Sequence, residues 1–243
     1  MPAHAARRRR AGRTGRAFID LHCHTSASFD CLTRPADVAR VAADRGLTHL
    51  IVTDHDRIDG ALSARDAAPP GLTIIIGEEV RTADGDLICA YLSSAIAPGM
   101  SAAETIAAAR EQGGLVGIPH PFDRFRGSLA KHARLDALAP LVDWVEVHNA
   151  RIVGGGNDLA AEFARDHGLA GVAVSDAHSA LEVGVAYTAL DGDPSTPAGL
   201  IAALATAEIV PGRASYFVRL ITPVAKGIQR LRGNTRIRPG TPA

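Results

Sequence analysis

The chain has 243 residues, 47% hydrophobic and 21% charged, enough to bury one sizeable core as a single domain. Its 26 basic and 26 acidic side chains cancel, so no global field draws it onto nucleic acid or a membrane surface. No run reaches the ~20 apolar residues that cross a bilayer, and Cys23, Cys31 and Cys89 lack the spacing of a disulfide framework or thiolate cluster.

Residues 1–16, MPAHAARRRRAGRTGR, carry arginines without acids or an apolar run, which predicts a disordered tail and no export signal. The expected address is the cytoplasm. From Ala17, β-like runs alternate with helical patterns. Strands are predicted over Ala17–His22, His49–Thr53, Leu72–Gly77, Asp86–Leu92, Leu115–Ile118, Trp144–Val147, Gly171–Val174 and Val185–Leu190. Helices are predicted over Pro35–Arg45, capped by Thr33 and stopped at Gly46, over Ser101–Gln112, where Ser101 and Glu104 form a capping pattern, and over Asn157–His167, stopped at Gly168. This alternation favours a parallel sheet, closed or distorted into an α/β barrel. Residues 223–243 are basic and turn-rich and read as a second tail, which leaves 17–222 as the folded domain.

Barrel enzymes work at the C-terminal ends of their strands, and metal-type side chains gather there. In FIDLHCHTS, Asp20, His22 and His24 alternate along one strand, so all three are expected on one face, with the imidazoles as metal ligands and Asp20 orienting a ring. The next strand ends in IVTDHD, where Asp54 and His55 join the set and Asp56 is expected to cap the following helix. Glu78 and Glu79 point in opposite directions, so only one faces the site. His120 stands between two prolines, and Asp176 and His178 share a face in VSDAH. His148 shares the parity of Glu146, and alternation alone does not say which face is inner. Imidazoles with carboxylates suit Zn²⁺, Mn²⁺ or Fe²⁺. Arg124, Arg126, Lys131 and Arg151 follow the fifth and sixth strands as candidate phosphate anchors.

DLHCHT (20–25), TDHD (53–56), GEE (77–79), PHP (119–121), VEVHN (145–149) and SDAH (175–178) together resemble the polymerase-and-histidinol-phosphatase (PHP) family. The resemblance implies a distorted (β/α)7 TIM-like barrel with its metal site at the C-terminal ends of the strands. It also implies two or three divalent ions and hydrolysis of a phosphomonoester or phosphodiester by a metal-bound hydroxide. By that resemblance His22 and His24 hold one metal, Glu79 bridges, His55 and His120 hold the second, and Asp176 and His178 complete the set. His178, Asp176 and His55 are then the catalytic candidates. Arg124 and Arg151 would meet the substrate, Asp30 would serve the substrate or a third ion, and Asp20 and Asp54 would support the ligands. Where trinuclear members carry a histidine on the fourth strand, this chain has Leu87, and Asp86 is expected to point elsewhere. The expected partner is a small phosphorylated metabolite or nucleotide. A non-catalytic metal module recruited to nucleic acid by the arginine tail, and a metal-dependent C–N hydrolase, are the alternative readings.

Overall fold

A computed structural model describes residues 15–123, 135–215, 217–237 and 239. Most of the expected arginine-rich tail, together with Arg124, Arg126 and Lys131, lies outside the described residues. Arg16 does not belong to a tail: it opens the first strand and pairs with Glu208.

The strands are β1 (Arg16–Asp20), β2 (His49–Val52), β3 (Thr73–Arg81), β4 (Asp86–Ala90), β5 (Leu115–Ile118), β6 (Trp144–Asn149), β7 (Ala170–Val174), β8 (Tyr187–Asp191) and β9 (Glu208–Val210). They form one sheet in the order β7-β6-β5-β4-β3-β2-β1-β8-β9. The sheet is not purely parallel, because β4 runs antiparallel to both neighbours and β8 antiparallel to β1. The turn after β3 explains the first reversal. Thr82 donates its hydroxyl to the Gly85 carbonyl and accepts from the Asp84 and Gly85 amides. A connection this tight leaves no room for the crossover a parallel neighbour needs.

Curvature brings β7 back to β1 at one end only. His24 N–H donates to the Ala177 carbonyl and Asp176 N–H to the His22 carbonyl, both at 2.9 Å. At the other end β8 sits between them, with Thr188 Oγ1 accepting from Ala173 N–H at 2.9 Å. The barrel is therefore nearly closed, and its closed rim is the rim that carries the histidines.

Strand alternation divides the apolar residues into two layers. Ile19, Leu21, Ile51, Ile75, Ile88, Trp144 and Val174 fill the interior, with Leu200 and Leu204 of a helix packed against them. Leu50, Ile76, Leu87, Val116 and Val145 face outward onto helices. The helices are α1 (Pro35–Asp44), α2 (Asp59–Asp66), α3 (Ala102–Glu111), the short α4 (Leu135–Leu138), α5 (Gly156–His167), α6 (Pro197–Leu204) and α7 (Val218–Leu231). Ser101 and Glu104 form the expected capping box on α3, and α5 ends on left-handed Gly168. Thr33 does not cap α1; Arg34 holds that position without a side-chain bond, and Pro35 starts the helix. No described helix is long and apolar enough to cross a membrane.

The expected C-terminal tail is instead α7, and the boundary placed at 222 falls inside it. Gln229 Nε2 donates to the carbonyls of Ser26, Ser28 and Cys31, tying this helix to the loop after β1. Residues 232–237 then return across the closed rim as a strap.

Gly117 faces the Trp144 ring, and a Cβ there would lie 2.1 Å from two indole atoms. Because the interior is already close-packed, Gly117→Ala should cost about 2–3 kcal/mol. Urea unfolding followed by fluorescence of the single tryptophan would measure it.

Burial of Glu78 on the outer side of β3 pushes its carboxyl up to about 8 from an ordinary 4.5, despite the Ile96 amide it accepts. The folded chain thus keeps a proton that the unfolded chain releases, so stability falls as pH rises from about 4.5 to about 8. Glu78→Gln should match the native chain at pH ~4.5 and exceed it by about 1–3 kcal/mol at pH ~9. Urea midpoints of the metal-stripped proteins across that range are the check.

Candidate metal centre

The closed rim collects histidines and carboxylates from the ends of β1, β2, β3, β5 and β7 and from the start of β4. On β1, β5 and β7 their arrival depends on departures from regular strand geometry. Ala17, Ile19 and Leu21 all face the interior while Cys23 faces the helices, so alternation breaks between Leu21 and Cys23. That break turns His22 and His24 into the site and leaves Asp20 behind. Asp20 does not orient an imidazole, contrary to the strand reading. It accepts from the Ser175 hydroxyl and from the amides of Ser175, Gly184 and His22.

Glu79 is 1% exposed and stands at the centre of the cluster. Its Oε2 lies 3.3 Å from His22 Nε2, 3.4 Å from His24 Nε2 and 3.1 Å from His55 Nδ1, and its Oε1 lies 3.1 Å from His120 Nε2. Asp176 Oδ1 is 3.7 Å from the Nε2 atoms of both His22 and His24. Asp30 Oδ2 is 3.3 Å from both His55 Nε2 and His178 Nε2. Glu78 faces away, as alternation requires.

The candidate ligand atoms fall into three groups, each within 4.8 Å: His22, His24 and Asp176; His24, Asp30, His55 and His178; and Glu79, Asp86 and His120. Ligands about 2.0–2.2 Å from a tetrahedral ion stand roughly 3.4 Å apart, and Asp176 at 3.7 Å from His22 and His24, and Asp30 at 3.3 Å from His55 and His178, are close to that. The residues present therefore fit divalent ions. The division differs from expectation in one respect: His55 and His120 both touch Glu79 but belong to different groups, and His55 joins Asp30 and His178.

Asp86 also departs from expectation. It shares the strand face of Ile88 and Ala90, which belong to the barrel interior, whereas Leu87 and Cys89 pack outward. The β4 contribution to the cluster is thus the residue before the leucine. Period-2 counting back from Ile88 would have found it.

A second set of contacts fixes the rings. Glu146 Oε1 accepts from His22 Nδ1 at 2.7 Å, which leaves Nε2 of the neutral ring as the lone-pair atom aimed at the site. Glu146 Oε2 accepts from the His120 amide and from Asn149 Nδ2, each at 2.9 Å, and Asn149 also donates to Asp176 Oδ2. The parity shared by Glu146 and His148 is broken by a bulge between them. Glu146 turns in, and His148 turns out to the Gly212 carbonyl. Asp54 accepts from the Thr25 amide and hydroxyl at 2.6 Å each, so it fastens the loop after β1 and holds no ring in place. Asp56 does not cap α2: its Oδ1 accepts from the Arg81 amide.

Among the described residues, left-handed backbone outside glycine occurs at Asp56, Tyr91, His120 and Asp176, three of them at this rim. Charge is unevenly shared. Against the cost of burial, Asp176, Glu146 and Glu79 push His22 well above its ordinary value, while burial and His178 hold His24 well below. Glu79 is held well below the usual carboxylate range by His55 and His22, again against burial.

A family model for the PHP domain matches residues 20–141, just over half of the chain, and a second, described as PHP-associated, matches residues 154–209. This chain belongs to the PHP domain family. An uncharacterised protein of Methanocaldococcus jannaschii is 34% identical over 173 residues, which is 70% of this chain and 68% of that protein. A solved two-domain protein of Bacteroides vulgatus, containing a predicted PHP-like metal-dependent phosphoesterase, superposes with TM-score 0.67 at 19% identity, over 81% of this chain and 65% of that one. A lesion-specific endonuclease of Pyrococcus furiosus superposes with TM-score 0.62 at 18% identity, over 80% of this chain and 57% of that one. Both are likenesses of fold, and this chain spans less than two thirds of either.

In this PHP chain the cluster opens into a cavity of about 300 Å³ lined by Phe29, Asp30, His55, Arg151, His178, Thr222, Lys226 and Arg236, among others. Arg151 is held by Glu182 at 3.1 Å and Thr222 at 2.8 Å. Lys226 and Arg236 come from the segment read as a tail, which carries no family motif, so the sequence offered no sign of them.

Glu146→Gln tests the support of His22. A single amide oxygen cannot accept from His22, His120 and Asn149 as two carboxylate oxygens do. Loss of an outer partner of this kind should weaken metal binding about 10–100-fold, which a competition titration with a chromophoric chelator would measure.

Proposed function

We propose that this chain is a metal-dependent phosphoesterase acting on a small phosphorylated metabolite or nucleotide, in a reducing cytoplasm that keeps its three buried cysteines free. The observation that carries the reading is the buried Glu79 carboxylate, met by His22, His24, His55 and His120. Imidazoles and carboxylates without thiolates suit Zn²⁺, Mn²⁺ or Fe²⁺.

When bound, divalent ions supply an activated water and neutralise charge on the phosphoryl oxygens. His22, His24 and Asp176 would hold one ion and Asp30, His55 and His178 another, with Glu79 between them. Of the two roles expected of Asp30, substrate contact or ion ligand, its position 3.3 Å from both His55 and His178 supports the ligand. His178 donates Nδ1–H to the Asp176 carbonyl, so in the neutral ring Nε2 turns a lone pair to this group, a ligand's orientation. Arg151 and Lys226 carry positive charge on the cavity wall, where anionic oxygens of the substrate would sit. Phe29, its ring centroid 5.0 Å from that of His55, offers an apolar surface to the rest of the substrate. The walls built by α7 and the strap favour a small molecule over a duplex.

Protein reconstituted with Mn²⁺, Zn²⁺ or Fe²⁺ should hydrolyse at least one member of a panel of phosphorylated metabolites and nucleotides. Chelation should abolish turnover. His55→Ala and His120→Ala should lower it by about a thousandfold while leaving the circular dichroism spectrum unchanged, because both side chains lie outside the two apolar layers. Hydrolysis of an amide or cyclic imide, with every phosphate ester untouched, would put a C–N hydrolase in its place.

A further inference from the structure

The third group differs from the other two in what it contains and in what lies against it. Glu79 and Asp86 are two buried carboxylates with one imidazole, His120. The strap places a guanidinium on them: Arg236 Nη2 donates to Asp86 Oδ1 and Nε donates to Asp56 Oδ2, both at 3.0 Å. The strap is not a casual surface contact. Asn234 Nδ2 donates to the Ala27 carbonyl at 2.9 Å, and Arg81 Nη2 donates to the Ile237 carbonyl at 2.7 Å. Asp56 is preset to receive Arg236 by its left-handed backbone (φ 57°) and by the Arg81 amide on its other oxygen at 2.8 Å.

We propose that Arg236 is a resident cation for this third group, so that the chain holds two divalent ions tightly and admits a third only when the strap moves away. The inference rests on the metal-centre reading above and adds to it a residue outside the family motifs. A charge-assisted bond to Asp86 must break before that oxygen can turn to a metal. A divalent ion would also stand beside a like charge in a partly buried site, where screening by salt is weak. Asp86, with its single acidic head shared between arginine and metal, is the point of competition. Arg236 further lines the cavity and lies 5.9 Å from the Phe29 ring, so a strap displaced by metal would also open the substrate wall.

The test is metal stoichiometry on the full chain, stripped of metal and titrated with Mn²⁺, with bound metal counted by elemental analysis and free Mn²⁺ by electron paramagnetic resonance. The native chain should bind two equivalents tightly and a third at least tenfold more weakly. Arg236→Gln should tighten that third equivalent at least tenfold, and Arg236→Lys, which keeps the charge, should resemble the native chain. Asp56→Asn, which loosens Arg236 without touching the three groups and can still accept from the Arg81 amide, should shift it the same way. On the native chain itself, filling the third position should speed hydrogen exchange of the amides of residues 232–237, a readout that needs no variant to fold. Three equally tight equivalents in the native chain would overturn the proposal. So would a third equivalent that neither Arg236→Gln nor Asp56→Asn tightens, or exchange in the strap that metal leaves unchanged. Two equivalents in every protein would remove the role of Arg236 and leave the metal centre standing, whereas no bound metal in any of them would sink the metal centre as well.

Discussion

Glu79 is a carboxylate taken almost wholly out of water, and the rim is organised around compensating it. A lone buried charge of this kind is prohibitive unless neutralised. Imidazoles arrive from β1, β2 and β5: those of β1 after the break that follows Leu21, that of β5 at the left-handed turn of His120, and that of β2 at His55, which keeps the β2–β3 register opposite Glu79. Where the rings themselves need support, Glu146 supplies it to His22 and positions the His120 backbone, and Asn149 links Glu146 to Asp176. Removing Glu79 would leave several ring nitrogens facing one another without the anion that reconciles them.

Much of this was legible in the sequence, for identifiable reasons. Histidines at the ends of apolar runs mark a barrel rim, and the β2, β5 and β7 runs fall close to their observed places because short β-branched stretches between turn residues have few other options. The reading failed where side-chain parity is not maintained. Asp20 and His22 are two apart yet serve different layers, Glu146 and His148 are separated by a bulge, and neither break leaves a mark in composition. Asp86 was the reverse case: the strand is regular, and its parity with Ile88 points inward, but comparison with a histidine-bearing pattern drew attention to Leu87. Antiparallel β4 and β8 were missed because alternating strands and helices suggest parallel pairing, and for β4 the deciding feature is the four-residue turn between Arg81 and Asp86. The C-terminal helix was masked by its own basic composition, which resembles solvated tail as readily as a helix whose buried face is used for docking.

The two ends of the described chain meet at this site. The loop after β1 contributes Thr25 and Asp30, and it is gripped from outside by Gln229 and Asn234. Both matched family regions stop before α7, so the wall that closes the cavity comes from residues beyond them. The clustered histidines and carboxylates all lie within the matched regions, while Thr222, Lys226 and Arg236 on the cavity wall lie beyond them.

The closure of β1 onto β7 also has a consequence for how the molecule comes into being. His22 and His24 are fixed by backbone bonds to Asp176 and Ala177, partners more than 150 residues later in the chain. Contacts of that separation form late, because the intervening chain must be ordered before the loop between them can close. During synthesis the paired histidines therefore wait, next to one another and unconstrained, until most of the barrel has left the ribosome. The rim that gathers the histidines is thus the last part of the barrel to be completed, when β7 arrives.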